Sequence, residues 1–141
     1  MKQEKELSTI EKVLFLKSID FFADAAIEDL GRVAALTAEI RFDAGETIFR
    51  EGELVDAIYF VVKGRVEVQR NGKRIREVGA KEAFAIVAVL DQEPAVHTVA
   101  ALEPVHALKL NAQDFHDMLS VDYELVRAVF RALCGMIREN H

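Results

Sequence analysis

The chain has no tryptophan, a single cysteine and no lysine–arginine cluster that breaks the acidic balance of its 141 residues. Each shortage removes a class of protein. One thiol, Cys134, cannot close a disulfide within the chain. It falls inside an apolar helical pattern, where a packed, inert thiol is expected rather than a nucleophile. The formal net charge is -6, from 18 basic and 24 acidic residues. Without a basic stripe nothing neutralises phosphates, so no nucleic acid is expected to bind this chain. The longest apolar run, Ala83 to Leu90, is far short of the roughly 20 residues of a membrane span, and no membrane insertion is expected. The N-terminal "MKQEKELSTIEK" is charged and lacks the apolar core of a signal peptide. A cytoplasmic protein is the expectation, or a cytoplasmic module of something larger. Paired carboxylates, a Ser/His/Asp set and metal-ligand spacing are all missing, so no catalytic residue, no metal site and no enzyme are expected.

What is present is globular: 51% hydrophobic and 30% charged residues, at a length suited to one domain with its own core. Helical signals come first. "LSTIEKVLFLKS" puts Leu7, Ile10, Leu14 and Lys17 on one face, with Val13 and Leu16 nearby. "DAAIEDLGRVAAL" predicts a second helix, capped by Asp24, with Ile27, Leu30, Val33 and either Leu36 or Ala34 as its buried stripe.

The period then changes to two. From residue 38 to 79 short strands are separated by glycines at 45, 52, 64, 72 and 79, as in a β-sandwich or barrel. Asn71-Gly72, between "RVEVQR" and "KRIREV", is a hairpin signal, because a type I′ turn needs positive φ at both central residues. "VHALKL" predicts a further strand. Asn111 with Asp114 resembles a capping box ahead of "FHDMLS". From Asp122 onward Leu125, Val129, Leu133 and Ile137 recur every four residues, beside a second stripe of Val126, Phe130 and Cys134. That face is wider than one contact requires. Either part of it lies on the barrel and part awaits a partner, or the helix is sunk in its own core.

A helix, an eight-stranded roll broken by a short helix, then two helices: this order resembles the cyclic nucleotide-binding domain, the family of the bacterial catabolite activator protein and the protein kinase A regulatory subunits. In "FDAGETIFREGELVDAIYFVVKGRVEVQRNG" the residues Gly45, Glu51-Gly52, Asp56, Tyr59 and Gly64 match its framework, and Phe84, Ala88, Pro94 and Thr98-Val99 match the spacing of its phosphate-binding cassette. The resemblance implies a mainly β fold with flanking helices: an eight-stranded, jelly-roll-like β-roll over about 37–110, a short cassette helix, and two C-terminal helices over about 111–139. Residues 1–20 are then a helical lead-in and 21–141 the domain itself. After the last helix no residues remain for a helix-turn-helix, so no DNA-reading element is expected within the chain.

The resemblance also implies a pocket at Phe84, Ala85, Ile86, Val87, Ala95, Val96, His97 and Thr98. In the family the cassette reads Phe-Gly-Glu-Leu-Ala, a gap, then Pro-Arg-Ser/Thr-Ala. The glycine lets backbone amides approach the cyclic phosphate, the glutamate accepts from the ribose hydroxyl, and the arginine and following hydroxyl hold phosphate oxygens. Here those four positions are Ala85, Ile86, Ala95 and Val96. Asp91 and Glu93, flanking Pro94, repel an anion. A charge-assisted hydrogen bond contributes about 1.5–3 kcal/mol, so losing both anchors costs roughly 3–6 kcal/mol, or about 100-fold to ten-thousand-fold in affinity. The expectation is a cyclic-nucleotide fold with weak or lost cAMP and cGMP binding, its pocket filled by Ile86 and Val96. No cofactor is firmly implied.

His97 is the titratable group of the stretch. It could meet an anion or ligate haem, but a strand histidine facing solvent or a backbone carbonyl is the commoner case. His106 and His116 show no metal-ligand spacing, and Thr98 fits a β-branched strand residue. The expected function is a non-catalytic regulatory or sensor module acting through another domain or protein, or as a homodimer through the C-terminal helix. Two alternatives stand beside it: a true cyclic-nucleotide receptor with an atypical pocket, and a sensor for a more apolar ligand.

Overall fold

A computed structural model describes residues 6–139. Eight strands form two four-stranded antiparallel sheets, ordered β1-β8-β3-β6 and β2-β7-β4-β5. The strands are β1 (Thr37–Phe42), β2 (Thr47–Phe49), β3 (Ala57–Lys63), β4 (Val66–Arg70), β5 (Lys73–Val78), β6 (Ala83–Phe84), β7 (Thr98–Ala101) and β8 (Val105–Asn111). The helices are α1 (Thr9–Lys17), α2 (Ile27–Leu36), α3 (Ile86–Asp91), α4 (Ala112–Val121) and α5 (Tyr123–Glu139), with a 3-10 turn at Asp20–Phe22. This is the mainly β roll with flanking helices that the element order implied.

The buried residues form two cores, and β3 belongs to both. Side chains alternate across a strand. Ala57, Tyr59 and Val61 therefore fill the inside of the roll with Val66, Val68, Val78, Phe84 and Val99. Ile58 and Phe60 face the helices, meeting Leu16, Phe21, Phe22, Leu30, Phe115 and Leu125. Burial on both faces explains the unbroken apolar run of "AIYFVV". Glu39 of β1 ties the N-terminal segment to the sheet: its carboxylate accepts from the Leu7 amide at 3.0 Å and lies 2.7 Å from His106 Nε2.

Local signals account for most boundaries. Ser8 and Glu11 close a capping box at α1. Asn71 and Gly72 have φ of 54° and 78°, the expected hairpin turn. The Asn111 side chain accepts from the Asp114 amide at the start of α4. Gly64 is required sterically as well, since a Cβ there would collide with the Pro104 carbonyl oxygen.

Four expectations need correction. Asp24 does not cap α2; the N-cap is Ala26, with no side-chain hydrogen bond. On α2 the buried stripe is Asp29, Leu30, Val33 and Ala34, while Ile27 and Leu36 are exposed. On α1 it is Leu16 that is buried, and Ile10 and Leu14 face solvent. The buried arc is rotated from the expected one, because the helix packs chiefly on α2. Cys134 is exposed: α5 buries Leu125, Ala128 and Val129, while in its second half only Ala132 and Leu133 still pack partly against the helical core. Hence α5 is not sunk in its own core, and Phe130 and Ile137 stand 62% and 58% exposed.

Among the described residues no helix is long and apolar enough to cross a membrane.

Candidate functional site

The cassette is built around a very short helix. Ala85, at φ 73°, turns the chain from β6 into α3, and Gln92, at φ 58°, turns it out again. Both occupy the left-handed region without being glycine, which costs each roughly 1–2 kcal/mol. Tertiary contacts hold the strained geometry in place. Ile86 and Val89 are buried against the helical core. His116 of α4 donates from Nε2 to the Val89 carbonyl at 2.7 Å, which fixes its tautomer and clamps α3 to α4. Phe84 stacks on Tyr59 with ring centroids 4.9 Å apart.

The second half of the cassette is pinned by backbone. The Ala95 amide donates to the Glu53 carbonyl and the Gly52 amide to the Ala95 carbonyl, both at 2.8 Å. Thr98 Oγ1 accepts from the Glu51 amide at 3.1 Å. Together these bonds lash the stretch after Pro94 to the loop that follows β2.

Between the halves lies a cavity of about 280 Å3. Phe84, Ala85, Ile86, Val87, Ala95, Val96 and His97 all line it; Thr98 does not, its hydroxyl being spent on Glu51. Ile86 and Ala95 are buried, whereas Val87 and Val96 stand about 60% and 59% exposed on the rim. The expectation that Ile86 and Val96 fill the pocket therefore fails. Their side chains coat an open cavity, Val96 because its position faces the mouth.

Several lining residues were not anticipated: Phe49 and Val68 within, Met136 from α5, and Arg76 from β5. Arg76 was legible. Val66 pairs with Val78 and Val68 with Arg76, so if the two β4 valines face inward, alternation turns Arg76 inward too. Met136 was not, because its placement depends on where α5 crosses the roll. His97, half-buried, is held below the ordinary imidazole pKa by burial and then by the Arg70 and Arg76 guanidinium groups, with Glu51 acting the other way. Neutral at pH 7, it offers one donor and one acceptor. Among the described residues no group of histidine, cysteine or carboxylates could hold a metal ion. His106 pairs with Glu39 and His116 with backbone, both away from the cavity.

Comparison with known proteins agrees with this architecture. The family profile described as "Cyclic nucleotide-binding domain" matches residues 39–122, more than half of the chain. A "CRP-like cAMP-activated global transcriptional regulator" of Mycobacterium tuberculosis is 24% identical over 117 residues, covering 77% of this chain and 52% of that protein. The chain thus spans about half the length of that curated relative. Among solved structures, the sensor domain of the transcriptional regulator DNR from Pseudomonas aeruginosa superposes with a TM-score of 0.78 at 20% identity, covering 94% of this chain and 92% of that one. The regulatory subunit of a cAMP-independent protein kinase A from Trypanosoma brucei gives 0.75 at 24% identity, covering 88% and 46%. The fold is shared by a protein named for cAMP activation and by another described as independent of it.

Proposed function

The chain belongs to the cyclic nucleotide-binding domain family, and from that premise we propose that it is a non-catalytic regulatory module whose pocket has lost tight binding of cAMP and cGMP. One observation carries this reading. At the four positions where the family grips sugar and phosphate, Ala85, Ile86, Ala95 and Val96 offer only hydrocarbon to the cavity. The Ala95 amide does not replace the missing arginine, for it already serves Glu53. A cyclic phosphate placed beside Ala95 would meet no charged side chain at the cassette positions themselves.

In this reading residues 21–141 are the module and residues 1–20 its lead-in. The output passes through α5, which leaves Tyr123, Phe130 and Ile137 exposed, to a neighbouring domain or a second copy of the chain, within a cytoplasmic protein.

A sensor for a more apolar ligand is the second reading. It is favoured by the cavity, which remains open at its apolar walls rather than collapsed.

Calorimetric titration with cAMP and cGMP, run on the parent and on the double variant Ile86→Glu/Ala95→Arg, tests the proposal. The parent is expected to give weak heat or none and the variant measurable binding. Micromolar binding by the parent overturns it.

A further inference from the structure

The polar groups of the cavity are unevenly placed. Its floor and walls are Phe49, Val68, Phe84, Ile86, Ala95 and Val99. The positive charges gather on the side of the β4–β5 hairpin. Arg76 turns inward from β5 in register with buried Val68, and Arg70 closes β4, paired with Lys73. Burial first and then both guanidinium groups lower the pKa of His97, which also lines the cavity.

On the outer face of the same hairpin the cations are already matched: Arg74 with Glu67 and Glu77, Arg65 with Glu77 and Glu103. Among the described residues Arg76 has no carboxylate within ion-pair distance. The carboxylates that line the cavity, Asp91 and Glu93, come instead from the end of α3 and the turn after it, where Asp91 Oδ1 accepts from the Glu93 amide at 3.0 Å. The site is polarised: apolar below, cationic at the hairpin, anionic at the α3 turn.

We propose that this cavity binds a small amphipathic monocarboxylate, its hydrocarbon body against Phe84, Val68 and Ile86 and its carboxylate on the Arg76 guanidinium beside His97. The proposal rests on the preceding reading of the pocket as one not built for a cyclic nucleotide. A planar guanidinium matches a carboxylate through two parallel N–H···O bonds, and although Arg76 is itself exposed at the mouth, the apolar floor beneath it takes up the hydrocarbon body. A singly charged carboxylate suits the site better than a doubly charged phosphate monoester, because Asp91 and Glu93 also border it. At about 280 Å3 the volume lies near the lower end of the roughly 300–1,000 Å3 of small-molecule pockets, room for a chain of the length of octanoate and not for a large cofactor.

The probes are octanoate and its neutral counterpart octanol, titrated into isotope-labelled protein while the backbone amides of Val68, Phe84, Val96 and His97 are followed by NMR. Octanoate is expected to shift these amides and to bind at least about tenfold more tightly than octanol, the difference one charge-assisted pair supplies. Arg76→Gln is expected to erase that preference. Arg74→Gln, on the outer face, is expected to keep it, which separates pairing at the mouth from a general change of surface charge. Equal binding of the two probes, an unchanged preference in Arg76→Gln, or no shift at the pocket amides with either probe overturns the proposal. A parallel cAMP titration keeps the two readings apart. With cAMP and octanoate both silent, the carboxylate assignment falls and the loss of nucleotide binding stands. Tight cAMP binding removes the premise itself.

Discussion

Ala85 shows most directly what the chain has kept and what it has given up. It holds the left-handed conformation, φ 73°, that a glycine takes without cost, so the backbone path of the cassette survives the change of residue. Ala85→Gly is therefore expected to stabilise the protein by about 0.5–1 kcal/mol, less whatever the lost methyl contributes inside the roll. Urea unfolding measures it, and a clear loss of stability would contradict the strain. His97 makes a second test. Its folded pKa lies below the ordinary 6.5, first through burial and then through Arg70 and Arg76. The unfolded chain thus takes up the proton at higher pH than the folded one. The contribution is fully present above about 6.5 and is lost as pH falls through the window beneath that value. His97→Gln is expected to flatten the dependence of stability on pH in that window; an unchanged slope would assign it to other groups. The apolar cassette positions were readable as residues because Phe84 and Pro94 fix the register around them. The openness of the cavity was not, since it depends on where Val96 points.

Among the elements, the helices are fastened by a few polar contacts rather than by area alone. Asp122 accepts from the Leu125 amide at 3.0 Å, capping α5, and from Arg32 of α2 at 2.9 Å. Asp29 shares the Arg32 contact and lies against Asp122. Its pKa is raised, chiefly by the hydrogen bond to Asp122, while the same bond holds Asp122 below the usual carboxylate value. Asp122→Ala removes both the cap and the tie to α2, and is expected to cost about 1–2 kcal/mol; a loss within a few tenths would show that packing alone seats α5. Sequence periodicity found these helices, and turn chemistry found the Asn71-Gly72 hairpin and the Asn111 cap. Periodicity did not fix the rotation of α1, because Ile10 and Leu14 are as apolar as Leu16 and only packing, chiefly on α2, decides which is buried. The same limit hid the exposure of Cys134.

On the scale of the whole molecule, a two-faced β3 joins the roll to the helical layer, and the His116–Val89 bond ties α3 beside the cavity to α4. The exposed face of α5 that carries Tyr123, Phe130 and Ile137 is expected to give association that increases with concentration in sedimentation, with Phe130→Glu abolishing it. A parent that stays monomeric at high concentration would leave a neighbouring domain as the occupant of that face. The central claim is that the framework of the fold has been kept while its polar grip on a cyclic nucleotide has been replaced by hydrocarbon. The most direct measurement follows the amides of residues 84–87 and 95–97 as cAMP is added to the unaltered chain. These amides are expected to stay in place, or drift without saturating, up to about millimolar nucleotide, the concentration at which binding contributes only some 4 kcal/mol. Saturating shifts at micromolar cAMP would contradict it.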